Sequence, residues 1–136
     1  MDDAMDVQLR SEIEMLHEQV CMALGDSKRV MILYMLAAHP RSVSEFAAEL
    51  QMPQPTVSHH LKILRERRLV ETQREGTSVV YSLADHRVID ALDLLRGVLR
   101  DRIMEQARLA NFSALDAERR DLPAAASDAE QEGEHT

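Results

Sequence analysis

Pro55-Thr-Val-Ser-His-His-Leu-Lys62 is the stretch of sequence that decides the fold. Its apolar residues Val57 and Leu61, followed by Leu64, recur at spacings of four and three, which is typical of one face of a helix. Pro55 is compatible with this interpretation because proline is tolerated in the first turn of a helix. We therefore predict a helix from about Gln54 whose inner face is apolar and whose outer face is polar.

A shorter helix is predicted just before this one. Ser42 or Ser44 is a suitable N-cap for it, and its apolar residues continue to about Leu50. Gln51-Met-Pro53 leaves room only for a tight connection. Two short helices joined in this way, the second starting with small polar residues, are the arrangement of a helix-turn-helix motif that reads DNA.

The flanking segments complete the predicted fold. Helical periodicity places two helices before the motif, at about 7–24 and 26–38. Alternation predicts strands at 69–74 and 78–83, joined by a glycine-containing turn, and a long helix capped by Asp85 at about 85–111. The predicted fold is mostly α with a β-hairpin wing (α+β), a winged helix-turn-helix with extra N- and C-terminal helices. We predict one domain over 1–112.

The charge distribution decides whether DNA is a reasonable partner. The chain of 136 residues carries −8, which taken alone argues against binding a polyanion. Residues 1–18 and 113–136 each carry −5, so the 94 residues between them carry +2. Because local charge governs the approach to phosphate, DNA binding remains compatible with the composition. The Ala-, Asp- and Glu-rich segment 113–136 lacks periodicity, and we predict a disordered acidic tail. An autoinhibitory mimic of DNA is the less favoured interpretation of that tail.

Other function classes find little support in the composition. One cysteine excludes a disulfide within the chain and a cysteine zinc cluster. No apolar run approaches the roughly 20 residues of a membrane span, and the acidic N-terminus does not resemble a signal peptide, so we expect a cytoplasmic protein without membrane contact. There is no glycine-rich phosphate loop, and no nucleophile stands beside a recognisable base, so we expect neither an enzyme nor a cofactor.

The candidate DNA-binding residues lie on the predicted reading helix and the wing. Polar and cationic side chains can hydrogen-bond to base edges or neutralise phosphates. We select eight of them: Gln54, Thr56, Ser58, His59, Lys62, Arg65, Arg74 and Thr77. His60 adjoins His59 but points about 100° away on a helix, and we leave it open between DNA contact and a surface role.

Several linked motifs resemble the ArsR/SmtB family of bacterial winged-helix repressors. The resemblance covers roughly residues 20–102. It is carried by Leu24-Gly-Asp-Ser-Lys-Arg-Val-Met-Ile-Leu33, Gln54-Pro-Thr-Val-Ser-His-His-Leu-Lys-Ile-Leu-Arg-Glu66, Leu69-Val70, Arg74-Glu-Gly-Thr77 and Tyr81-Ser-Leu83. The resemblance implies a homodimer joined through its first and last helices, which binds palindromic double-stranded operator DNA and is released by an inducer. Pro53 departs from the family's serine, so the reading helix could begin elsewhere or be capped by Gln54.

The metal sites of the family can be checked position by position. The cysteine-rich stretch of the arsenic and cadmium sensors corresponds here to Ser42-Val-Ser-Glu-Phe-Ala47, and hydroxyls are poor ligands for soft metals. The family's zinc ligands correspond to Asp85, Arg87, Val98 and Asp101, which include no imidazole. We therefore predict no metal site, interpret Asp85 as a helix cap, and expect a small molecule or a redox signal as effector rather than a metal.

Two features of the first helices leave alternatives open. Cys21 adjoins the apolar stripe of the first helix, which favours a packed structural thiol over a redox or effector residue. Met15, Met22, Met31 and Met35 favour core or dimer packing over a pocket for an organic effector. For the whole chain, the alternative to a repressor is a winged-helix protein-interaction module without sequence-specific DNA binding.

Overall fold

The computed structural model describes residues 3–121, and their side chains from residue 6 onward. Within this range the helices are α1 (Asp3–Leu16), α2 (Ser27–Ala38), α3 (Val43–Leu50), α4 (Gln54–Glu66) and α5 (Arg87–Asp121). The strands are β1 (Arg41–Ser42), β2 (Val70–Glu75) and β3 (Ser78–Leu83). This order confirms the predicted α+β class with a helix-turn-helix followed by a β-hairpin wing.

The sheet is antiparallel, with strand order β1-β3-β2. The hairpin pairs Val70 with Leu83 at one end and Glu75 with Ser78 at the turn. Gly76 has φ 62°, a conformation that glycine adopts without the steric cost of a Cβ. Strand β1 was not predicted, because a strand of two residues is too short to show alternation. It pairs Arg41 with Tyr81 and so ties the start of α3 to the wing.

The chain divides by its internal contacts into two compact units, one ending at Leu92 and the other beginning at Asp93. The first unit holds the hydrophobic core, in which α2, α3, α4, the hairpin and the start of α5 meet. Its largest fully buried side chains are Phe46, Ile32, Leu33, Leu61, Leu64 and Val57. Truncating a buried phenylalanine such as Phe46 to alanine costs roughly 3–5 kcal/mol. The helix-turn-helix motif is therefore held in place by a core that includes Val57, Leu61 and Leu64, the residues whose spacing predicted the inner face of its second helix.

The N-terminal helix differs from the continuous helix predicted over 7–24. After α1 the chain forms a π-helical turn, His17–Cys21, in which the Met22 amide donates to the His17 carbonyl at 2.9 Å. A short 3₁₀ turn, Ala23–Gly25, follows. Of the predicted apolar stripe, Val20 and Leu24 pack against the core, whereas Leu9, Ile13 and Leu16 on α1 are at least 50% exposed.

The predicted caps of the next two helices are confirmed. The Asp26 carboxylate accepts from the Lys28 amide at 2.8 Å at the start of α2, which ends directly before His39-Pro40. At the start of α3 the cap is Ser42 rather than Ser44, since the Glu45 amide donates to the Ser42 hydroxyl. These caps satisfy amides that the first turn of a helix leaves without partners.

Helix α5 continues to Asp121, past its predicted end near Asn111, so predicting disorder from residue 113 was wrong for 113–121. This segment has no long apolar stripe, but it consists mainly of strong helix formers such as Ala, Leu, Glu and Arg. Arg120 also pairs with Asp116 one turn earlier, at 3.0 Å. The rest of the acidic tail, 122–136, lies outside the described residues.

Candidate nucleic-acid interface

Helix α4 begins at Gln54, as predicted. The residue before it, Pro53, offers no side-chain cap, and its carbonyl instead accepts from the amides of Thr56 and Val57 at 3.1 and 3.2 Å. Neither a shifted start nor a cap by the Gln54 side chain is observed. Pro55 lies in the first turn, where its missing amide hydrogen costs nothing.

The two faces of α4 are sharply distinct. Val57, Leu61 and Leu64 are fully buried against the core. Every one of the eight predicted DNA-binding residues is exposed: Gln54, Thr56, Ser58, His59, Lys62, Arg65, Arg74 and Thr77. The core therefore fixes the orientation of a helix whose outer face presents hydroxyl, imidazole and cationic groups to solvent. A surface of this composition can approach the edges of base pairs and the phosphates beside them.

The wing lies beside the first turn of α4. An open cleft of about 220 Å³ is lined by Ser42, Val43 and Ser44 at the start of α3, Gln54, and Ser78 and Val79 of β3. Thr77 directly precedes Ser78, and Arg74 pairs with Val79 across the hairpin. The structure thus brings the Gln54 end of the reading helix and the wing residues to one side of the first unit.

Lys62 is available to a phosphate even though it has an acidic neighbour. Its Nζ lies 4.0 Å from Glu66 Oε1, one turn away, and both side chains are largely exposed. Exposed pairs of this kind contribute only about 0–1 kcal/mol because water screens them. A phosphate can therefore replace Glu66 as the partner of Lys62 at small cost.

The two adjacent histidines have different environments. His59 is exposed, whereas His60 is only 7% exposed on the inner face of α4. The His60 Nδ1 lies 3.4 Å from Arg29 Nη1 and the ring is buried, so both interpretations left open for His60, DNA contact and a surface role, were wrong. Arg29 was not among the residues selected from the sequence. Only its place in the motif Leu24–Leu33 could have drawn attention to it.

Asp85 serves the start of α5, as predicted. Its Oδ1 accepts from the Arg87 amide at 2.9 Å, and its Oδ2 accepts from Arg87 Nη2 at 2.7 Å. Hydrogen bonds from the Arg87 side chain, and then from the Arg87 amide, lower the pKa of Asp85 to about 2. The carboxylate is thus bound to the helix start and to a guanidinium that would repel a cation. Among the residues that the structure describes, no three His, Cys, Asp or Glu side chains are grouped to hold a metal ion.

The capping role of Asp85 predicts a pH dependence. Because its pKa is lowered from 3.8, its stabilising effect is complete above pH 3.8 and is lost as the pH falls through about 2. We expect Asp85→Asn to lower the urea midpoint of unfolding at neutral pH, and this deficit to shrink between about pH 4 and 2. Glu71→Gln, which changes an exposed carboxylate on β2, is the matched control. A deficit that stays constant to pH 2 would contradict the ionised cap.

Cys21 and most of the nearby methionines are on the surface of the chain. The Cys21 thiol is exposed within the π-helical turn, so the favoured interpretation of a packed thiol is wrong for the single chain. Met15, Met22 and Met31 are 60%, 54% and 52% exposed, and only Met35 packs against the core. Core packing therefore explains Met35 alone. No helix of the described range has the length and apolarity needed to cross a membrane.

Comparison with known proteins identifies relatives of this chain. A family model described as "Bacterial regulatory protein, arsR family" matches residues 26–72, from the α2 cap into β2. The transcriptional regulator KmtR of Mycobacterium tuberculosis is 42% identical over 77 residues, which are 52% of this chain and 59% of KmtR. The uncharacterised HTH-type regulator MJ1325 of Methanocaldococcus jannaschii is 40% identical over 78 residues, 57% of this chain and 88% of that protein. The repressor SmtB of M. tuberculosis is 40% identical over 78 residues, 54% of this chain and 58% of SmtB.

Solved structures give the same result. The homodimeric winged helix-turn-helix domain of Mb0332 from Mycobacterium bovis has a TM-score of 0.64 at 28% identity, and the match covers 77% of this chain and 93% of that one. HlyU from Vibrio vulnificus has a TM-score of 0.58 at 31% identity, covering 71% of this chain and 98% of that one. The chain spans under two thirds of the length of KmtR and of SmtB.

Proposed function

We propose that this chain, which belongs to the arsR family of bacterial regulatory proteins, is a DNA-binding transcriptional regulator that acts as a homodimeric repressor of a palindromic operator. The observation that carries this proposal is the exposure of all eight selected side chains beside a reading helix with a fully buried inner face. In our proposal Ser58 and His59 read base edges, and Lys62 and Arg65 bind phosphates. Arg74 and Thr77 of the wing bind the adjacent groove.

The proposed dimer rests on apolar residues that the single chain leaves in water. On α1 they are Val7, Leu9, Ile13, Met15 and Leu16, each at least 50% exposed. On α5 within the second unit they are Leu94, Leu95, Val98, Leu99, Ile103, Met104, Leu109, Phe112 and Leu115, each at least 52% exposed. Many exposed apolar side chains along one helix indicate a protein interface. A second copy is the occupant we propose, by analogy with the homodimeric Mb0332 domain.

Symmetry then determines the form of the DNA site. A two-fold dimer presents two α4 helices to DNA, and each would enter the major groove of one half-site. The half-sites should lie on one face of the duplex, about 10 base pairs apart or a multiple of that distance. We propose that the helices at about 7–24 and 85–111 hold the two halves of a domain over 1–112 at this spacing.

An effector would release the operator by changing that spacing. The family's metal positions here hold Ser42, Ser44, Asp85 and Arg87, without a thiolate or imidazole, which supports a small organic molecule or a redox signal rather than a metal. The exposed Cys21 thiol is accessible to a redox signal. A coupling of about 1–3 kcal/mol between effector and DNA would reduce operator affinity about 5–150-fold.

A selection experiment tests the proposal. The full chain is incubated with a pool of duplexes of random sequence at low salt, and the bound fraction is amplified and sequenced over several rounds. We expect an inverted repeat to be enriched, and its affinity to fall steeply with salt. Retention of DNA without any enriched sequence would instead favour the alternative, a winged-helix protein-interaction module. The enriched inverted repeat is called the selected duplex below.

A further inference from the structure

Arg29 holds the end of the N-terminal helical segment from a position in the first turn of α2. Its Nε donates to the Ala23 carbonyl at 2.6 Å, and its Nη2 donates to the Met22 carbonyl at 3.3 Å. Both carbonyls lie just after the π-helical turn, and the Met22 carbonyl also accepts from the Gly25 amide at 3.2 Å. The side chain is only 14% exposed, so it acts as an enclosed C-terminal cap supplied by another helix.

The same guanidinium contacts the buried face of the reading helix. Arg29 Nη1 lies 3.4 Å from His60 Nδ1. An arginine can only donate, so Nδ1 must accept and the single proton of the neutral imidazole must be on Nε2. His60 is one residue from His59 and two from Ser58, both of which are exposed on the outer face. One side chain therefore joins the N-terminal segment to the part of α4 that reads DNA.

We propose that Arg29 is a positioning residue for DNA recognition, which transmits the placement of the N-terminal segment to the reading helix through His60. This inference rests on the proposed reading role of α4. A shift of Met22 and Ala23 would move the guanidinium, and His60 would then have to move with it or lose its hydrogen bond. In either case the outer face of α4 would present Ser58 and His59 differently to the groove.

The hydrogen bond between Arg29 and His60 requires a neutral imidazole. Burial, with a further contribution from Arg29, lowers the pKa of His60 below 6.5, while Asp26 acts in the opposite direction. The charged groups around the ring are Asp26, Lys28 and Arg29 from α2 and His59 from α4. A neutral imidazole is thus favoured at neutral pH, and the contact is lost as the pH falls through the lowered pKa, when Nδ1 becomes a donor facing a cation.

The pH dependence of binding gives the decisive readout. His59 is a second imidazole on the exposed face of α4, so all variants carry His59→Gln, which leaves His60 as the imidazole of this helix. We expect this parent to lose affinity for the selected duplex as the pH falls from about 7.5 through the lowered pKa of His60, by about tenfold once the pH lies one unit below that pKa, measured by fluorescence anisotropy. His60→Asn, whose amide oxygen can replace Nδ1 as acceptor without titrating, should keep most of the affinity at neutral pH and lose only about twofold in acid. An equal acid loss in His60→Asn would overturn the proposal.

Two further measurements separate positioning from folding. Arg41→Lys is the matched control, because Arg41 is also buried and pairs with Glu49 on α3 but does not contact α4. It should lower thermal stability and leave the acid loss of affinity unchanged. Arg29→Lys should reduce affinity for the selected duplex at neutral pH, and it should make the further loss of affinity at acid pH smaller. If Arg41→Lys flattened it equally, general destabilisation would explain the effect and the proposal would fall.

A readout without DNA keeps this proposal distinct from the proposed function. Nitrogen NMR of the imidazoles in the full chain should show His60 with its proton on Nε2, and Arg29→Ala should change the His60 Nδ1 signal and titration. A His60 protonated on Nδ1, or one unaffected by Arg29→Ala, contradicts the positioning link whatever the chain binds. If the His60 signals behave as expected but the selection experiment enriches no duplex, sequence-specific DNA binding is refuted and the link between Arg29 and His60 is not.

Discussion

Lys62→Ala should weaken binding to all DNA sequences alike, by about tenfold to a hundredfold for a dimer, and should flatten the salt dependence of binding. Lys62 projects from the exposed face of α4, and in our proposal its charge contacts phosphate rather than a particular base. Each lost phosphate contact lowers the slope of log affinity against log salt by about one, so a dimer should lose about two.

Ser58→Ala and His59→Ala should weaken the discrimination between DNA sequences rather than change the salt dependence of binding. Their side chains lie in the first turns of the reading helix, nearest the base edges, and each lost base contact is worth about 1–3 kcal/mol of discrimination. The affinity ratio between the selected duplex and duplexes with one altered base pair should therefore fall, while the slope of log affinity against log salt stays the same.

Glu66→Gln is the control for Lys62, since removing its weak intrachain partner at 4.0 Å should not reduce binding. Uniform losses for Ser58, His59 and Lys62 would refute this division of roles.

Leu99→Glu should convert the dimer to a monomer and reduce affinity for the selected duplex by about 10²–10⁴-fold. Leu99 is 56% exposed in the single chain, so a carboxylate there costs the folding of that chain little. In a dimer the same carboxylate would be buried without a partner. A monomer engages only one half-site and loses the effective concentration that the second half-site supplies.

The dimer prediction is tested by sedimentation velocity and by binding. The 15.4 kDa chain should sediment as a dimer, and the Leu99→Glu variant as a monomer that still unfolds cooperatively in urea, at a lower midpoint because it lacks the stabilisation by association. Asn111→Asp also adds a negative charge to α5, but roughly 120° around the helix from Leu99, and it should leave both the mass and the affinity unchanged. A dimeric Leu99→Glu variant would show that the second copy docks elsewhere.

Local pattern was enough to predict the reading helix and the wing. Val57, Leu61 and Leu64 are spaced so that only a helix buries all of them, and the hairpin strands were placed within one residue of their observed bounds. The Ser42 and Asp26 caps were also visible, because a cap depends on amides only two or three residues away. All eight candidate DNA-binding residues lie on the surface, as the pattern required.

The features that the sequence did not reveal depend on contacts between distant residues. Two adjacent histidines look alike in sequence, and only the packing of α2 against α4 encloses His60 beside Arg29. The π-helical turn that exposes Cys21 has no local signature. Strand β1 exists because β3 offers it a partner, and α5 continues to Asp121 through helix propensity rather than through an apolar stripe.

In the proposed complex, two copies of α4 read the two halves of one operator. A hydroxyl-radical footprint of the full chain on the selected duplex measures this directly. We predict two protected segments on one face of the duplex, related by a two-fold axis and centred about 10 or 20 base pairs apart. A single protected segment, or uniform protection along the duplex, would contradict a dimer that reads two half-sites.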